Sequence, residues 1–129
     1  MVPKESVSQP SPSPAERRRH QRFKAPEKTL AITPNIIGQI VDISAGGCEL
    51  RYIDNNGQLE QEGAMDILMH DKGFYMEQVP IIMAWQERPQ SSALSTIIIR
   101  KIGVRFAELS PAQQERIDYF IKNFTLGVA

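Results

Sequence analysis

The stretch RKIGVRFAELSPAQQERIDYFI, residues 100–121, carries two different periodicities on either side of one turn. Lys101 and Arg105 alternate with Ile102, Val104 and Phe106, the period of two expected of a strand with one face in a core and one in water. After Glu108 and Leu109 the period changes. Ser110 is placed to cap a helix, Pro111 occupies its first turn, and Gln113 stands where a capping box needs it. Ile117, Phe120, Ile121 and Phe124 then follow at i, i+3, i+4 and i+7, one apolar stripe that must be covered by something. Gly127 is the expected stop.

Upstream, the same alternating texture recurs in short runs: TLAIT, NIIGQIVDIS, CELRYI, GAMDILM, GFYMEQVPIIMAWQ and STIIIRKIGVRFAEL. Turn residues separate them, DNNG at 54–57, HDKG at 70–73 and RPQSS at 88–92, so about six antiparallel strands are implied. Strands this short and closely spaced remove their edges by curling up. The expected fold is mainly β: a small six-stranded antiparallel (split) barrel with the C-terminal helix packed on it as a lid. Met65, Met69, Met76 and Met83 read as core filling.

With 129 residues, 41% hydrophobic and 23% charged, the chain has material for a single core. Residues 1–15, rich in Ser and Pro, bury too little to order and read as a disordered tail; residues 16–129 form the domain. Formal net charge is zero, but its distribution is uneven. Seven of fifteen basic residues and three of fifteen acidic ones fall within 1–28, which leaves eight against twelve in the body. Wholesale coating of nucleic acid or membrane by net charge does not fit this balance. The single cysteine, Cys48, excludes an internal disulfide or multi-thiolate zinc site and reads as a small buried hydrophobe. No run suits a signal peptide or a membrane span, so the protein is expected in the cytoplasm.

Two segments carry chemistry. ERRRHQRF, residues 16–23, packs Arg17, Arg18, Arg19 and Arg22 into six positions with only Glu16 and Glu27 as nearby acids. VDISAGG, residues 41–47, sets Asp42 and Ser44 two apart, on one strand face, ahead of two glycines. Alone, the first reads as a solvated linker and the second as a turn in which Asp42 and Ser44 cap neighbouring amides. Together they resemble the PilZ domain family. Arg18 and Arg22 fill RxxxR, Asp42, Ser44 and Gly47 fill DxSxxG, and residues 100–121 look like the family's closing strand and helix. The likeness runs from about Glu16 to Phe124.

That resemblance implies a bacterial, non-enzymatic receptor for cyclic di-GMP, with Arg18, Arg22, Asp42, Ser44 and Gly47 as ligand-binding residues. Such a ligand presents two phosphodiester charges and two guanines. A guanidinium can fork onto phosphate, pair with the O6 and N7 edge of guanine or stack on its face, and a carboxylate can accept from N1 and N2. Arg17, Arg19, Gly46 and Trp85 are further candidate contacts. Trp85 shares a strand parity with Ile81 and Met83, which reads as core; the alternative is a guanine-packing place at the barrel rim. The arm from Glu16 to Lys24 is expected to be mobile until ligand fixes it against the Asp42–Gly47 shelf, and the fixed arm would address a downstream protein of flagellar, pilus, polysaccharide or transcriptional machinery. No metal, cofactor or catalytic motif is recognisable. A nucleic-acid-binding barrel with a basic arm and a ligand-free PilZ-like adaptor are the alternative readings.

Overall fold

The computed structural model describes residues 20–54, 59–87 and 97–129. Seven strands and one helix are present among them: β1 (Phe23–Lys24), β2 (Thr29–Ile32), β3 (Ile37–Ser44), β4 (Gly47–Ile53), β5 (Glu62–Met69), β6 (Phe74–Gln86), β7 (Ile99–Phe106) and α1 (Pro111–Phe124). Strands β3, β2, β5, β6, β7 and β4 pair in that order, and β4 pairs back to β3, closing a six-stranded antiparallel barrel. β1 is the extra strand. It pairs with the C-terminal half of β3, on the flank whose N-terminal half holds β2.

Alternation builds the core. Leu50, Ile67, Val79, Ile81 and Ile102 face inward and are buried, as are Met65, Met69 and Met76; Met83 is half-buried. Cys48 is buried among them. At three places the period of two is broken by a register shift, and each break re-aims side chains. In β3 the shift between Ile40 and Asp42 lets Ile40 and Ile43 both reach the core and puts Asp42 and Ser44 on the outer face, where they are still largely covered, 8% and 7% exposed. In β6 the shift between Met83 and Trp85 sets Trp85 opposite Gly103, on the outer parity of β7. Trp85 is 37% exposed, so the core reading of this residue is corrected. The third shift, between Met65 and Ile67, accompanies Gln78 at a positive φ of 58°. Its N–H donates to Asp66 Oδ1 at 2.9 Å, Tyr75 donates its hydroxyl to Asp66 Oδ2 at 2.7 Å, and the Gln78 carbonyl accepts from Gln113 Nε2 at 3.2 Å, fastening the start of α1 to the barrel.

The helix is capped as its sequence requires. Ser110 Oγ accepts from the Gln113 N–H at 3.1 Å, and Gln113 Oε1 accepts from the Ser110 N–H at 2.9 Å. Ile117 and Phe120 are buried on the barrel, and Ile121 and Phe124 pack partly against it. Phe120 meets Phe74 edge-on with ring centroids 5.1 Å apart. The helix stops earlier than Gly127. Thr125 is its C-cap in extended conformation, with Oγ1 donating to Ile121 O at 2.6 Å; Gly127, at φ 116°, turns the tail that follows. Of the expected turns, His70–Lys72 form a short 3-10 helix closed by Gly73 at φ 66°, while 55–58 and 88–96, like residues 1–19, lie outside the described residues.

Two stability outcomes follow. Phe120→Ala removes a buried ring at the helix–barrel contact and is expected to cost about 3–5 kcal/mol in urea unfolding. Gln78→Gly relieves a left-handed backbone without touching the Asp66 contact, and should stabilise by about 1 kcal/mol in the same assay.

Candidate functional site

Arg22 enters the site from the end of β1, and the backbone there is held on both sides. Phe23 and Lys24 pair with Ile43 and Asp42 of β3, and the Ala25 N–H donates to Val41 O at 3.0 Å. On the opposite flank the chain's own tail adds three bonds: Lys24 N–H to Gly127 O at 2.8 Å, Leu126 N–H to Lys24 O at 2.9 Å, and Ala129 N–H to Arg22 O at 3.0 Å. The expectation of a loose arm from Glu16 to Lys24 is therefore narrowed, since residues 22–24 are fixed. Arg17, Arg18 and Arg19 lie outside the described residues.

From this anchor the Arg22 guanidinium reaches two acids. Nη1 stands 3.6 Å from Asp42 Oδ1 and 3.9 Å from Glu49 Oε1. Both separations exceed the length of a direct charge-assisted hydrogen bond, so the acids steer the guanidinium without saturating its five donors. Lys101 Nζ approaches Glu49 from the other side, 3.9 Å from Oε2. Cross-strand register explains the grouping. Asp42 is opposite Glu49, Glu49 opposite Gly103, and Gly103 opposite Trp85, so a single outer row crosses β3, β4, β7 and β6. Gly103 has no side chain because the Trp85 ring lies where its Cβ would be.

Burial, and after it the negative charge of Asp42, raises the Glu49 pKa above the ordinary carboxylate range; Lys101 and Arg22 only partly offset this. Cys48, one residue away on the inner face, has its thiol pushed far up by burial and then by Asp42, which keeps it protonated.

The β3–β4 turn shows what the remaining motif residues do locally. Ser44 Oγ accepts from the Gly46 N–H at 3.1 Å and its hydroxyl points to Gly47 O at 3.4 Å, so this serine shapes the turn, as the bland reading of the segment has it. Gly46 lies beneath His20, whose Cδ2 would be 2.6 Å from a Cβ placed there. Gly47 faces the backbone of Val104 and Arg105 in β7, and a Cβ there would fall well inside van der Waals contact distance of Val104 O. The room that Gly47 leaves is thus taken by β7. Of the sequence candidates, the structure brings Arg22 and Asp42 together, sets Ser44, Gly46 and Gly47 in the adjoining turn, and puts Trp85 at the far end of the row. Sequence reasoning missed Glu49 and Lys101. The signal was available in GCELRYI, where inward Cys48, Leu50 and Tyr52 oblige Glu49 and Arg51 to face out. Among the described residues no group of three His, Cys, Asp or Glu side chains is placed to hold a metal, and no helix is long and apolar enough to cross a membrane.

A closed six-stranded barrel with a C-terminal helix, an arginine just ahead of an added N-terminal strand and an Asp-x-Ser turn is the layout of a PilZ domain, and the PilZ domain family profile matches residues 16–123; the chain belongs to that family. Among solved structures it is similar to the PilZ domain with c-di-GMP of YcgR from Escherichia coli, at 18% identity over 84% of this chain and 91% of that one, with a TM-score of 0.63. The K. pneumonia MrkH–c-di-GMP complex is similar at 18% identity, covering 82% of this chain and 50% of that one, TM-score 0.63. MrkH in its apo state gives 15% identity, 92% and 51% coverage, and a TM-score of 0.61. The chain thus spans about half the length of MrkH, and at these identities the likeness is one of fold. Comparison with curated protein sequences gave no match.

The two glycines of the turn should separate cleanly on substitution. Gly47→Ala forces β4 off the β7 backbone and is expected to destabilise by about 1–3 kcal/mol, whereas Gly46→Ala meets only a surface imidazole that can swing away and should change stability by less than about 0.5 kcal/mol; urea unfolding of both variants measures this. For Glu49 the sign follows from its raised pKa. As pH rises through the ordinary carboxylate range, the unfolded chain releases this proton before the folded chain does, so stability falls over that interval. Glu49→Gln should abolish this component, making thermal midpoints less dependent on pH above the ordinary carboxylate range than in the parent.

Proposed function

We propose that the protein is a non-enzymatic receptor for cyclic di-GMP. Its family membership supports this reading, and the observation that carries it is the outer row in which a steered but unsaturated Arg22 faces Asp42. The row offers what the ligand requires. Arg22 can turn from its loose contacts with Asp42 and Glu49 to fork onto a phosphate or the O6 and N7 edge of a guanine, while Asp42 accepts from N1 and N2 of a base. Arg18 supplies the second cation of the RxxxR pair, and Arg17 and Arg19 add phosphate or stacking contacts. Ser44 and Gly47 serve by the shape of the turn, Gly46 by the room it leaves for the His20 ring at the start of the arm, and Trp85 by a flat face on which a base can pack. No cofactor or metal enters the proposal.

Output would follow from order. Because residues 22–24 are already fixed, the part of the arm that ligand rearranges lies before Arg22, where closely spaced like charges repel until a dianion neutralises them. The ordered arm would then present a new surface to a downstream protein in the cytoplasm, of flagellar, pilus, polysaccharide or transcriptional machinery.

Calorimetric titration with cyclic di-GMP, against GTP, cyclic GMP and cyclic di-AMP, tests the receptor reading. Selective binding is expected, weakened roughly ten- to hundredfold by Arg18→Ala, Arg22→Ala or Asp42→Ala, as loss of a charged hydrogen-bond partner implies. Added salt should weaken it as well. A folded parent that gives no heat with excess cyclic di-GMP would sink the reading, and equal affinity for single-stranded RNA would favour a nucleic-acid-binding barrel instead.

A further inference from the structure

Residues 126–129 meet the arm more than a hundred positions away in sequence, and they do so through backbone hydrogen bonds. We infer that this C-terminal segment is the positioning element of the ligand site: it fixes the strand from which Arg22 projects, and so sets where the guanidinium stands. The inference rests on the receptor reading above. Three observations carry it.

First, β1 is two residues long, and so short a strand paired along one side only is marginal. The tail supplies the second side through its three bonds, one of which ends on the carbonyl of Arg22 itself. Second, the tail gives little to the core. Leu126 and Val128 are 65% and 61% exposed, so most of each residue faces solvent while the backbone bonds go to the arm. Third, its course is set by special backbone. Thr125 ends α1 in extended conformation, and Gly127 at φ 116° bends the chain so that Val128 bridges Phe23. A tail that only trailed from the helix would need neither.

A clamp made of backbone bonds and exposed side chains should be separable from global stability. Leu126→Pro removes the N–H that bonds to Lys24 O, and Thr125 before it already has the φ −75° and ψ 160° that suit a residue preceding proline, so α1 is spared. Leu126→Ser keeps the N–H and serves as the control. Three measurements on the full chain decide the matter: amide exchange of Lys24, the urea midpoint, and titration with cyclic di-GMP. The proline variant is expected to keep the parent midpoint, to exchange the Lys24 amide at least about tenfold faster, and to bind about tenfold more weakly; the serine variant should match the parent in all three. Unchanged Lys24 exchange in the proline variant overturns the inference. So does faster exchange with parent affinity, and so does a collapsed urea midpoint, which would make the tail part of the general scaffold. If the parent itself fails to bind cyclic di-GMP, the receptor reading falls, and Lys24 exchange alone still decides whether the clamp exists.

Discussion

Closure of the barrel depends on β4, which is hydrogen-bonded to β3 along one edge and to β7 along the other. Strands β3 and β7 can be joined this way only if β4 lies close to both, and at its first residue the fit leaves no room for a side chain. Gly47 sits there against the β7 carbonyl of Val104. The same residue ends the turn that Ser44 ties together, so one position serves both the closure of the barrel and the shape of the shelf beside Arg22. Site and scaffold are not independent here. The row that presents Asp42 and Glu49 exists because β3, β4 and β7 are held in register, and the register depends on that close approach.

Much of this was legible in the residues. The alternation of Ile102, Val104 and Phe106, the Ser110–Gln113 box and the stripe through Ile117 and Phe120 each reappear as strand, cap and buried helix face. What escaped reading has physical reasons. β1 contributes two residues, too few for any period, and is a strand only because β3 and the tail bond to it. Trp85 was misassigned because parity counting assumes an unbroken pleat, and one register shift reverses every assignment beyond it. Asp42 and Ser44 do share a face, as counting by two suggests, but unbroken counting would also have put them with Ile40 in the core. The shift after Ile40 makes the site possible. Glu49 and Lys101 belong to the row by cross-strand register, which a single strand's sequence does not carry.

The electrostatics of the row are set by the fold rather than by composition. Two carboxylates face each other across β3 and β4, an arrangement that disfavours ionising both, with Arg22 3.6 Å from Asp42 and both Arg22 and Lys101 3.9 Å from Glu49. Partly buried charges held in this way cost stability, and the barrel tolerates the cost because the inner face of the same strands is filled by Ile40, Ile43, Leu50 and Ile102.

The position of Trp85 has an optical consequence. It is the only tryptophan of the chain, and it lies on the outer row over Gly103, 37% exposed, while the packed interior holds phenylalanines and one tyrosine, Tyr52. Indole emission from this protein therefore reports the polarity of the outer row and the seating of one ring on one glycine. It is nearly blind to the packing of the core.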